Sequence, residues 1–244
     1  MTEKLSSELE QRFLDVEENL KVVRGRIEEA AVQSGKSPKE ITLLAATKTV
    51  PVEVINRGIA LGIDHIGENR VQELRDKYTS YDLSNCELHF IGHLQTNKVK
   101  YLVGQVSMIQ SVDQMKLAKE ISRLSEKKNL STDILIEVNI GQEANKSGVL
   151  PQNLYELVDA AAALPGIRIR GLMAIPPAGA PEKETMNYFS QMHQYFIDIK
   201  SKKIDNVSMD FLSMGMSADY YQAILAGANL VRVGSALFGP RNYH

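Results

Sequence analysis

The chain has 244 residues, 43% of them hydrophobic, and a formal net charge of -2. That is enough for a sizeable core, while the near-neutral balance offers no basic stripe for nucleic acid and no apolar run reaches the roughly 18 residues of a membrane span. The single cysteine, Cys86, excludes an internal disulfide framework and a cysteine-rich metal site.

The N-terminal stretch MTEKLSSELEQRFLDVEEN turns acidic early and has no apolar centre. It does not read as a secretory signal, and a cytoplasmic location is expected. The first predicted element is a helix in which Leu9, Phe13, Val16, Leu20, Val23, Ile27 and Ala30 recur at alternating spacings of four and three, ending near Ser34-Gly35. The stripe stops after about three heptads, so residues 1–35 read as one helix docked on a domain rather than a coiled coil.

Short β-like runs then alternate with helical stretches. The runs are 41–47, 65–67, 88–92, 108–112, 133–139, 169–175, 210–215 and 230–234. The clearest helical patterns are VDQMKLAKEISRLSEKK and EKETMNYFSQMHQYFIDIKS, and SADYYQAILAGA opens on a plausible cap and closes on glycine. Eight β-then-α units in about 200 residues predict an α/β fold, a single (β/α)8 TIM barrel over 1–244 with an extra N-terminal helix. An open doubly wound sheet is the competing architecture. No linker or change in composition marks a second domain.

Several motifs fail on inspection. Gly35-Lys36-Ser37 has the tail of a phosphate-binding P-loop, but position 30 is alanine where the motif needs glycine, and the stretch follows a helix rather than a strand. No GxGxxG supports a dinucleotide site, and no GxSxG elbow supports a hydrolase of that type. His89 and His93 have helical spacing but lie in a strand-to-loop stretch without HExxH, so no metal site is expected there.

What remains lies at the carboxyl ends of the predicted strands, where barrels of this kind do chemistry and hold phosphate after strands seven and eight. The seventh run leads into SMGMS, with Ser213, Gly215 and Ser217, and the eighth into RVGSALFG, with Gly234 and Ser235. Two glycine- and serine-bearing turns at those two places favour an anion site over ordinary turns. Lys48, in LLAATKTVP, closes the first run, beside the eighth in a closed barrel. It either snorkels to solvent or serves as the amine of a Schiff base to a phosphorylated aldehyde. Arg232, inside the apolar eighth run, needs an acceptor, either a pyridine nitrogen or a barrel carboxylate.

LLAATKTVP, IGENRVQEL, LHFIGHLQTNK, VNIGQEANKSGV, RGLMAI, LSMGMSADY and VRVGSALFGPR together resemble the pyridoxal phosphate homeostasis protein family, in order from about 41 to 241. The resemblance implies a barrel of the alanine racemase N-terminal type, with Lys48 carrying pyridoxal 5'-phosphate as a Schiff base. It implies Ser217, Gly234, Ser235 and Ser213 at the phosphate, Arg232 at the pyridine nitrogen, and Asn69 and His93 near the cofactor.

A racemase needs an acid/base on each face of its substrate, and in the racemases the second is a tyrosine from a separate domain after the barrel. This chain ends ten residues after Gly234. That domain is therefore expected to be absent, and an arginine at the ring nitrogen weakens the electron sink. The expected function is non-catalytic binding of pyridoxal phosphate and its hand-over to apo-enzymes, by a monomer. One rival is a racemase-like enzyme using Tyr220 or Tyr221. Another is a class I aldolase, which the early position of Lys48 disfavours.

Overall fold

A computed structural model describes residues 2–240, with side chains from Ser7 onward; Arg241, in the last of the resembling motifs, lies outside the described residues. The strands are β1 (Thr42–Ala46), β2 (His65–Glu68), β3 (Glu87–Phe90), β4 (Met108–Val112), β5 (Thr132–Val138), β6 (Ile167–Ala174), β7 (Val207–Ser213) and β8 (Leu230–Val233). All eight predicted runs become strands. They pair in parallel and in chain order, and β1 pairs with both β2 and β8, closing the barrel. Both faces of such a sheet are covered, which is why β1 reads as a nearly continuous apolar run and every residue of β4 and β5 is buried.

The helices are α1 (Thr2–Gln33), α2 (Val52–Ala60), α3 (Val71–Lys77), α4 (Met115–Lys127), α5 (Leu154–Ala162), α6 (Glu182–Lys202), α7 (Tyr220–Leu225) and α8 (Ser235–Phe238). One connection departs from the regular alternation. Between β3 and β4 the chain makes a 3-10 helix, Thr96–Tyr101, instead of an α-helix. Its buried anchors Val99 and Leu102 are three residues apart, the spacing that a three-residue turn places on one face.

The predicted stripe on α1 is the docked face: Val16, Leu20, Val23, Ile27 and Ala30 are buried, and Leu9 and Phe13 pack against them. Each fully buried aliphatic side chain there contributes about 1.5–3 kcal/mol. The face lies on α2, α7 and α8, across the seam where β8 meets β1. Asn19 Nδ2 donates to the Leu237 carbonyl at 3.0 Å, and Arg24 donates to the carbonyls of Leu61 and Gly62. The helix stops where expected. Gly35 adopts φ +73°, and the amides of Gly35 and Lys36 turn back to the carbonyls of Val32 and Ala31, capping the last turn.

Inside the barrel the apolar filling is divided. Leu44, Ile91 and Leu230 form one small patch and Met108, Leu135 and Met173 another. Buried polar side chains share the interior with them, among them His89, Gln110, Glu137, Ser213 and Arg232. Among the described residues no helix is long and apolar enough to cross a membrane.

Candidate functional site at the barrel mouth

The site is built from the turn that follows β1. Thr47 is buried, its hydroxyl donating to Glu68 Oε1 at 2.8 Å. The same carboxylate oxygen accepts from Tyr81 Oη at 2.7 Å and Lys77 Nζ at 3.2 Å. Burial, followed by the Glu68 charge, drives the Tyr81 phenol far above its usual range, so it remains a donor. Beyond Lys48 the backbone turns sharply: Thr49 has φ +64°, uncommon for a β-branched residue, and its amide is held by Glu73 Oε1 at 2.6 Å. Lys48 therefore sits just past the end of β1, in a tied turn, rather than closing the strand as its sequence suggests.

That turn opens on a cavity of about 320 Å³ at the carboxyl end of the barrel. Six of the predicted site residues line it, five of them at strand ends: Lys48 and Asn69 from the β1 and β2 ends, Ser217 after β7, and Gly234 and Ser235 after β8. Arg232 joins them from within β8. The volume lies in the range typical of small-molecule sites, about 300–1,000 Å³. Ser217 Oγ accepts from the amides of Gly234 (3.1 Å) and Ala236 (3.2 Å), stitching the two turns together and leaving its own proton to donate. Among the described residues the amides of Ser217, Ala218 and Ser235 have no acceptor. A Cβ at Gly234 would lie 3.2 Å from the Ala46 carbonyl oxygen, so glycine lets this turn approach β1 closely.

Two expected site residues stand elsewhere. Ser213 is fully buried and does not line the cavity; its hydroxyl accepts from Arg232 Nη1 at 2.5 Å and donates to Gln110 Oε1 at 2.7 Å. His93 is exposed and also off the cavity, its Nδ1 2.9 Å from Ser147 Oγ. Neither rival tyrosine lines the cavity: Tyr220 is buried in α7, and Tyr221 donates to Gln33 Oε1 at 2.7 Å.

Behind Arg232 lies a file of side chains that the sequence reading did not single out for the site. Arg232 Nη2 donates to the Ala174 carbonyl at 2.9 Å, and Gln110 Nε2 donates to His89 Nδ1 at 2.9 Å. His89 Nε2 then donates to Glu87 Oε2 at 3.2 Å. Burial lowers the Arg232 guanidinium to about 10, against the opposing charges of Glu137 and Asp219, so it stays protonated at neutral pH. Burial, helped by the charge of Asp113, pushes the Glu137 carboxyl up to about 7, while Arg232 pulls it down. The sequence did carry a signal for these residues. Gln110 and Glu137 each interrupt an apolar strand, as Arg232 does.

Comparison with known proteins agrees with this geometry. The sequence profile described as alanine racemase, N-terminal domain, matches residues 19–242. A pyridoxal phosphate homeostasis protein of Aquifex aeolicus is 44% identical over 226 residues, covering 93% of this chain and 98% of the relative. PipY of Synechococcus elongatus, solved with pyridoxal phosphate bound, is similar at a TM-score of 0.80 and 31% identity, covering 92% of this chain and all of that one. The alanine racemase of Corynebacterium glutamicum shares the fold at a TM-score of 0.70 and 16% identity, covering 94% of this chain but 62% of the racemase. With its closed parallel barrel and matches along nearly its whole length, the chain belongs to the pyridoxal phosphate homeostasis protein family, within the alanine racemase N-terminal domain fold.

Proposed function

We propose that this chain binds pyridoxal 5'-phosphate at the barrel mouth, with Lys48 holding it as a Schiff base, and serves its homeostasis by storing it and handing it to apo-enzymes. The observation that carries this reading is the convergence of one amine, two serine-bearing turns and one buried guanidinium on a single cavity. When bound, the cofactor supplies an aldehyde and an electron-accepting ring. The residues present fit that group. The Ser217 hydroxyl and the acceptor-free amides of Ser217, Ala218 and Ser235 suit a phosphate, and the glycine at 234 keeps the cradle open. Arg232 donates only, so it presents a donor to the pyridine nitrogen and keeps that nitrogen an acceptor. Asn69, at the cavity wall, supplies an amide for orienting the ring.

The reading is of a carrier rather than an enzyme. Support comes from the cavity wall, which among the described residues contains no tyrosine to serve a second substrate face. The protonated state of Arg232 is a further support. A cytoplasmic monomer is part of the same reading. The purified protein should be yellow, and borohydride reduction followed by digestion should place the cofactor on the peptide containing AATKTV. Recovery on Lys146, or no covalent label, would overturn the assignment. Deuterium at the α-carbon of an L-amino acid incubated with the holo-protein in heavy water would revive the racemase reading.

A further inference from the structure

At the opposite end of the barrel, where β2 and β3 begin, three ligand-type side chains meet. His65 and Glu87 are register partners on adjacent strands, and His89 follows Glu87 by two residues and so shares its face. One ligand atom from each lies within 4.8 Å of the others. Glu87 Oε2 is 3.2 Å from His89 Nε2 and 3.9 Å from His65 Nε2. Ligands on a tetrahedral ion, bonded at about 2.0–2.1 Å, sit roughly 3.3 Å apart. The two imidazole rings are nearly perpendicular, with centroids 5.5 Å apart. Two imidazoles sharing such an ion would place them about 5 Å apart.

The second nitrogens of both rings are also engaged. His65 Nδ1 pairs with Asp64 Oδ1 at 2.8 Å, an arrangement that puts the proton on Nδ1 and leaves the Nε2 lone pair for an ion. His89 Nδ1 faces the Gln110 carboxamide at 2.9 Å. Turning that carboxamide over occupies the same heavy-atom positions. Its oxygen then accepts from Nδ1–H, its nitrogen donates to Ser213 Oγ, and His89 Nε2 is freed to ligate. The site opens outward, because the His65 side chain is 19% exposed and that of Glu87 56%. Arg170, whose charge also reaches Glu87, is already held by Asp133 and Asp210.

We propose that His65, Glu87 and His89 form a site for a divalent transition-metal ion of the zinc type, with water as the fourth ligand. Two imidazoles and one carboxylate suit Zn2+ or Co2+, whereas Mg2+ and Ca2+ take oxygen ligands. The sequence pairs His89 with His93, but His93 stands exposed beside Ser147, and the partner imidazole comes instead from the neighbouring strand.

The test is titration of the tag-free full chain with Co2+ and with Zn2+ alone, before and after loading with pyridoxal phosphate. The parent should show one saturable site with the visible bands of four-coordinate Co2+, whether or not the cofactor is present. His65→Ala and Glu87→Gln, each checked for folding by circular dichroism, should abolish those bands, and Asp64→Asn should weaken binding by about tenfold. His93→Ala should change nothing. No saturable binding by the parent, binding that survives both His65→Ala and Glu87→Gln, or binding lost in His93→Ala would each overturn the proposal. A metal site without cofactor retention would sink the proposed function and leave this one standing, and the reverse result would do the opposite.

Discussion

At the floor of the barrel Asp133 accepts from both Arg168 and Arg170, and Arg170 reaches on to Asp210. At the mouth, Lys48, Ser217 and Ser235 line a cavity, and among the described residues several backbone amides beside them have no acceptor. On the β5–β7 side of the floor these charges are spent on one another, and the protein gains stability from them. The mouth leaves donors unspent, which costs stability but keeps them for a ligand. Substitutions at the two ends should therefore fail in different assays.

The largest effect is expected at the floor. Asp133→Ala removes the shared acceptor of two guanidiniums, and urea unfolding should show a loss of roughly 3 kcal/mol. Arg168 is half exposed, so the cost stays toward the low end of what breaking a buried pair brings. The folded fraction should retain pyridoxal phosphate as the parent does. Cofactor loss in that fraction would mean that the two ends are not independent.

The next effect lies between them, at Glu137. Its carboxyl titrates near 7 in the folded protein, above its ordinary 4.5, because burial favours the neutral form. A raised acid binds more protons folded than unfolded, so its contribution is fully present below pH 4.5 and is lost as pH rises through 7. Glu137→Gln should leave stability at pH 4.5 nearly unchanged and raise it at pH 8 by about 2–3 kcal/mol. Thermal unfolding at the two pH values reads this directly, and equal gains at both would show that the carboxyl does not titrate this way. The smallest effect belongs to the mouth. Ser217→Ala should weaken cofactor retention by about 1–2 kcal/mol, while the unfolding midpoint falls by less than Asp133→Ala produces. A stability loss matching that of Asp133→Ala would make Ser217 a structural residue.

The strands were legible because short β-like stretches recur between helical patterns at the spacing of a (β/α)8 barrel. The third crossover was not, since Val99 and Leu102 fit either a 3-10 or an α-helical turn when read alone. At the site, Lys48, Ser217, Gly234 and Ser235 could be placed together because strand ends are fixed by chain order in a closed barrel. Ser213 and His93 could not be placed, because their environments depend on partners distant in the chain: Gln110 and Arg232 for one, Ser147 for the other. A polar residue within an apolar strand announces that a partner exists without saying which. Arg232, Gln110, Glu137 and His89 all carried that announcement.

The docking of α1 also bears on the order in which the molecule is assembled. Its buried stripe rests partly on α2, which follows soon in the chain, and partly on α7 and α8, which follow much later. The bond from Asn19 to Leu237 spans 218 positions. At the usual pace of about 5–20 residues per second, the ribosome takes roughly 10–40 seconds to supply that partner. Through that interval much of the face bearing Val16, Leu20 and Val23 stays open to water and to other chains. Closing the barrel and completing the cover of α1 both wait for that later stretch of the chain, and with them the cavity at the β8–β1 seam.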